Sequence, residues 1–326
     1  MKRIFALSLL LLTCFEGQCE ELYADYDWQA QNYLDGIPRL NPAGLVVEFA
    51  VTNPSLTVVL ARYRAKPLRL TSSALTNLLT ELNFRPSDRS PQDEGVHPLA
   101  EAHYSRSLPR SAALRILPRQ GVVQMTGQSP KWDRTTNCTV PSALEVMSRA
   151  SNLLFSVLGA APDELAQQSH GLALINCNEG TVSTLDRKTR KEIKRVSQRT
   201  VSIKRALDNN QIFAGGNQSF DALRLVVVDD GEIVGFDLCW PPVEKIQSVA
   251  PPTLGELHAA VRLGQARTLA RGLKHFVVER VDYYYEKRGN PPAVAIYHPL
   301  VYLLGQGDNG RTNFPAAIII EWPPGK

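Results

Sequence analysis

Cysteine is scarce in this chain, with five residues in 326. Two of them, Cys14 and Cys19, fall near the N-terminus. That leaves Cys138, Cys177 and Cys239, too few for a disulfide-dense scaffold. An odd count leaves either one thiol beside a single pair or three thiols. A large excess of one charge is also missing. There are 36 Lys+Arg and 32 Asp+Glu, a formal charge of +4, too weak by itself to argue for nucleic-acid binding. No apolar run is long enough for a transmembrane helix, and the best one, 294–304, contains His298 and Pro299. There is no internal repeat. Hydrophobic residues at 44% and charged residues at 21% exclude a disordered or fibrous chain. The length suggests two or three domains rather than one.

The N-terminus reads as an export signal over residues 1–19. Lys2 and Arg3 precede a short apolar stretch from Ile4 to Thr13. Gly17-Gln18-Cys19 offers small residues for cleavage before Glu20. The expected location is therefore secreted or periplasmic.

Three regions follow, 20–125 β-rich, 126–208 a core, and 209–326 α+β. In the first, 44–51 and 56–63 flank Thr52-Asn53-Pro54-Ser55, which suggests a hairpin. Ser72 or Ser73 can cap a helix through about Asn83. In the core, Pro141 and Ser142 open a helix whose apolar residues Ala143, Val146, Met147, Ala150, Leu154, Val157 and Leu158 repeat at helical spacing to Gly159. Leu172–Cys177 and Thr181–Leu185 read as two strands joined by a turn at Asn178-Glu179-Gly180. Leu223–Val228 and Ile233–Cys239 around Asp229-Asp230-Gly231 give a clear hairpin signal. Pro251-Pro252 opens a long helix through about Tyr285, and 293–304 and 316–322 read as strands.

The charge is unevenly placed. Residues 187–205 hold nine Lys/Arg against Glu192 alone, so the rest of the chain is mildly acidic. Their apolar positions step by three and four, which allows a helix, while their Thr and Val content allows a strand. Arg187, Lys188, Arg190, Lys191, Lys194 and Arg195 could bind an acidic partner, a membrane surface or nucleic acid.

Cys138 precedes a helix N-terminus, where partial positive charge favours thiolate. His170 heads the first of the two core strands and Asp186 ends the second. A tight turn between them would bring the two ends together, giving a nucleophile, a base and an orienter. In this order the chain resembles the transglutaminase-like branch of the papain-like cysteine proteases. The residues are Asn137-Cys138-Thr139, the apolar helix, Ser169-His170-Gly171-Leu172, and Val182-Ser183-Thr184-Leu185-Asp186. Asn137 and Leu172 stand where the family usually has Gly or Asp and an aromatic residue. The resemblance implies an α+β fold with a papain-like core and an antiparallel sheet, which the 223–239 hairpin extends. It also implies an exported hydrolase or acyl transferase for peptide or amide bonds. Cys138 would be the nucleophile, His170 the general base and acid, and Asp186 its orienter, with no metal or organic cofactor. The other reading of the residues is a non-catalytic secreted binding or assembly protein that docks an acidic partner on 187–205. Asn137-Cys138-Thr139 is also a glycosylation sequon, and a glycan there would crowd the nucleophile.

Overall fold

The computed structural model describes residues 33–51, 58–90, 101–107, 110–128, 139–159, 172–185, 189–208, 210–213, 222–288 and 295–324. Cys138, His170, Asp186, Arg187, Lys188 and the export signal lie outside them. The described chain is α+β, with three α-helices and many strands.

One antiparallel sheet holds seven strands. They are β3 (Ala102–Arg106), β4 (Ala112–Leu117), β5 (Val122–Gly127), β6 (Leu172–Leu185), β7 (Glu192–Leu207), β9 (Ala222–Val228) and β10 (Ile233–Cys239). Their order is β3-β4-β5-β10-β9-β7-β6. Alternation makes one face apolar. Leu114, Ile116, Val123, Met125, Val201, Ile203, Leu223, Leu225, Phe236 and Leu238 are all buried. Helices α1 (Ser72–Glu81) and α2 (Ala143–Leu158) cover that face with Leu78, Leu79, Val146, Ala150, Leu153, Leu154 and Val157. Thr71 caps α1 through the Ala74 amide, and Ser142 and Glu145 form a capping box on α2.

The second sheet centres on β13 (His275–Arg288) and β14 (Ile296–Asp308). Strand β14 also pairs β15 (Asn313–Glu321) along most of its length and β2 (Leu60–Ala65) at its start. Strand β1 (Val46–Phe49) lies parallel to β13, β11 (Val243–Val249) borders β2, and β12 (Ala266–Thr268) borders β15. Helix α3 (Leu254–Arg262) buries Leu257, Ala260 and Val261 against Phe276, Val278, Val301 and Ile318. The sheets meet where β7 ends. Its last residues, Ala206 and Leu207, pair β8 (Asn210–Phe213), which runs parallel to β13. A small core of Ala61, Tyr63, Leu207, Tyr285 and Tyr297 fills the junction. Both Tyr63 and Tyr285 donate hydroxyl hydrogen bonds to Asp208, at 2.6 and 2.7 Å.

Several expectations are corrected. Among the described residues the 44–51 and 56–63 runs do not pair with each other, since β1 pairs β13 and β2 pairs β11 and β14. The helix from 251 stops at Arg262, and the residues expected to continue it form β12 and β13. Gly264, at φ +68°, sits in the left-handed conformation that ends a helix. No turn breaks the chain at 178–180, since β6 runs unbroken through it. The 187–205 stretch is strand from Glu192 onward. The expected boundary at 126 falls inside β5, and β1 and β2 share a sheet with strands from beyond residue 209.

Candidate interaction site

Strand β6 pairs with β7 from end to end, Leu172 opposite Arg205 and Leu185 opposite Glu192. Strand β9 joins β7 only along Gln198–Lys204. Among the described residues, Thr181–Leu185 and Glu192–Val196 therefore form a two-stranded ribbon beyond the sheet, with no third strand. At about 3.3 Å per residue the ribbon extends roughly 16 Å. A lone two-stranded hairpin is marginally stable in water, so its root matters.

The root is fastened by side chains. Arg199 reaches Glu179 through Nε and Nη2, at 3.1 and 2.8 Å. Its Nη1 donates to the carbonyls of Val140 and Pro141, just before α2. The Ser197 hydroxyl donates to the Gly180 carbonyl at 3.0 Å. Gly180 is needed because the Gln198 side chain occupies the space of a Cβ, 2.5 Å from its ideal position. The register shifts at Gly180/Thr181, where the ribbon leaves the sheet.

The ribbon is basic. Arg190, Lys191 and Lys194 are exposed and Arg195 is half-buried. The acid described beside them, Glu192, lies 3.8 Å from the Lys194 Nζ, an exposed pair that contributes little. Arg187 and Lys188 complete the charged segment in the sequence.

The three residues of the expected triad all lie outside the described residues. Their flanks bear on them. The first residue of α2 is Ala143 and its cap is Ser142, so Cys138 stands four residues before the cap. The pairing of His170 with Asp186 required a hairpin between them. Instead Leu172 and Leu185 end one 14-residue strand, about 40 Å apart at ordinary strand rise.

Other polar clusters were hidden from the sequence because pleating and pairing assemble them. On the helix-free face of the first sheet, a row runs across the strands from Arg115 through Gln124 and Asp237 to Arg224 and Ser202. Burial raises Asp237 to about 6, against the opposing pull of Arg224 and a hydrogen bond with Gln124. The folded protein thus favours the neutral carboxyl. This stabilisation is present below about pH 4 and is lost as the pH rises to about 6. Asp237→Asn is expected to match wild type near pH 4 and to exceed it by about 1–2 kcal/mol above pH 7, in urea unfolding at both pH values.

On the second sheet, Arg288 binds Glu286 at 2.6 Å and Glu321 at 2.9 Å. The fully buried Glu286 also accepts the Leu34 amide hydrogen at 2.8 Å. His298 lies 3.4 Å from Glu321, and burial lowers its pKa to about 4, keeping it neutral. This cluster fastens residues 34–37 to the sheet. Among the described residues, no group of three or more His, Cys, Asp and Glu could hold a metal ion. No described helix is long and apolar enough to cross a membrane.

No protein-family model matches the chain, and no curated protein does. Among solved structures, an uncharacterized protein from Eubacterium rectale ATCC 33656 is similar over 84% of this chain and 87% of its own. The identity is 9% and the TM-score 0.41, so the likeness carries no functional argument.

Proposed function

We propose that the protein is an exported binding or assembly protein that docks an acidic protein partner on the basic β6–β7 ribbon. The observation that carries this reading is the concentration of positive charge on a ribbon that, among the described residues, has no third strand. Such a ribbon gains stability from a partner that covers it. It can offer both backbone hydrogen bonds and charges of the opposite sign to an acidic strand. The mildly acidic remainder of the chain favours a local acidic protein contact over a nucleic acid, which needs a broad basic footprint.

The competing reading is a thiol-dependent hydrolase or acyl transferase on a papain-like core, using Cys138, His170 and Asp186. It lacks the hairpin on which the His–Asp pairing depended. A binding assay on poly-L-glutamate, with Cys138→Ala and Arg190→Ala/Lys191→Ala/Lys194→Ala variants, separates the two. The triple variant is expected to bind at least about tenfold more weakly at low salt, with a shallower salt dependence, while Cys138→Ala binds as wild type. Wild type that fails to bind polyglutamate at low salt, or a triple variant equal to it, would refute the docking reading. Hydrolysis of amide substrates lost in Cys138→Ala would restore the catalytic one.

A further inference from the structure

Cys177 and Cys239, the two described cysteines, both carry reduced thiols. They cannot bridge each other. Cys177 lies on β6 and Cys239 on β10, and two strands, β7 and β9, run between them. Cys239 instead meets an amine. Nζ of Lys287 lies 3.2 Å from its Sγ. The two residues come from different sheets, at the end of β10 and near the end of β13. The Lys287 ammonium also lies 5.8 Å from the centre of the Tyr297 ring, which helps hold it in place. Both side chains are half-buried, so a small oxidant can reach them.

We propose that the Cys239–Lys287 pair is an oxidative modification site, at which a peroxide drives a covalent Sγ–Nζ crosslink between the two sheets. In the first step the thiol attacks the peroxide. The O–O bond breaks, sulfur loses two electrons, and a sulfenic acid and one water are formed. In the second step the neutral Lys287 amine, having released its ammonium proton to solvent, attacks the sulfur. The S–O bond breaks, the S–N bond forms, and the hydroxyl leaves as water with a proton from the amine. Overall, thiol, amine and hydrogen peroxide give a sulfenamide and two waters. A reductant thiol can reverse the crosslink by attacking the sulfur and releasing the amine.

The test is peptide mass spectrometry on the full chain after mild hydrogen peroxide treatment. The expected product joins the peptides containing Cys239 and Lys287, lighter by two hydrogens than their sum, and is split by dithiothreitol. Lys287→Arg keeps a cation near Tyr297 but lacks the primary amine. It is expected to yield Cys239 sulfinic acid and no crosslink, with thermal unfolding confirming the fold. Cys177, which has no such lysine contact, serves as the internal comparison. Wild type that gives only sulfinic or sulfonic acid at Cys239 would overturn the proposal. So would a crosslink of Cys239 that survives in Lys287→Arg. If Lys287→Arg fails to fold, the wild-type digest decides, with Cys239→Ser as the negative comparison.

Discussion

Gly305→Ala is expected to cost about 3 kcal/mol or more in urea unfolding. Gly305 lies in β14 opposite Val278. The register of β13 shifts between Val278 and Arg280, so Glu279 is an extra residue in a β-bulge. The bulged backbone folds over Gly305. A Cβ there would stand 1.9 Å from the Val277 carbonyl oxygen and 3.0 Å from the Glu279 amide nitrogen. Backbone atoms cannot rotate away as a side chain can, so the bulge must move or the pairing must open. The bulge also changes which residues face inward. Before it, Phe276 and Val278 are buried, and after it Tyr283 and Tyr285 are. Losing the bulge would turn one of these pairs away from its core. Gly255→Ala in α3 is the comparison, since a Cβ there meets nothing within 4 Å. That change is expected to be neutral or slightly stabilising.

The same bulge makes the sequence of β13 resemble a helix. Its apolar residues Phe276, Val278, Val281, Tyr283 and Tyr285 step by two, three, two and two. The single step of three imitates helical spacing, and it comes from an extra residue that only pairing with β14 reveals. The turn chemistry at 178–180, inside an unbroken strand, has a similar cause. Asn-Glu-Gly is ordinary turn chemistry, but here the glycine accommodates the Gln198 side chain at a register shift. Where one face of one element decides, the sequence sufficed. The apolar stripe of α2 and the Asp229-Asp230-Gly231 hairpin both appear in the structure, although α2 starts at Ala143 rather than Pro141. The basic segment was visible as composition. Its form was not, because strand and helix periods compete along it and partner strands decide between them. The Cys239–Lys287 contact and the Asp237 row were not visible at all, because their members come from different strands.

Arg205→Ala is expected to destabilise the protein by about 3 kcal/mol, because this one side chain ties together two of the passages of the chain between the sheets. On β7, Val201, Ile203 and Arg205 alternate on the buried face, so pleating carries the guanidinium inward. Arg205 is 2% exposed. Its Nη1 donates to the Pro241 carbonyl at 2.6 Å, and its guanidinium lies 5.5 Å from the centre of the buried Trp240 ring. Trp240 and Pro241 carry the chain from β10 in the first sheet to β11 in the second. Two residues after Arg205, β7 itself makes the same passage by pairing β8. Truncation to alanine removes the hydrogen bond and the ring contact and leaves a void beside Trp240. A hydrogen bond from a charged donor contributes about 1.5–3 kcal/mol, and a desolvated cation–π contact up to about 2. Desolvating the guanidinium offsets part of this sum. Arg205→Lys keeps the charge but not the planar fork, and is expected to lose about half as much. Lys204→Ala, on the opposite face, is expected to stay within about 0.5 kcal/mol of wild type. Urea unfolding followed by tryptophan fluorescence measures all three. A loss below about 1 kcal/mol in Arg205→Ala would mean that burying the guanidinium costs nearly what its contacts return, and that the aromatic junction around Asp208 holds the sheets together instead.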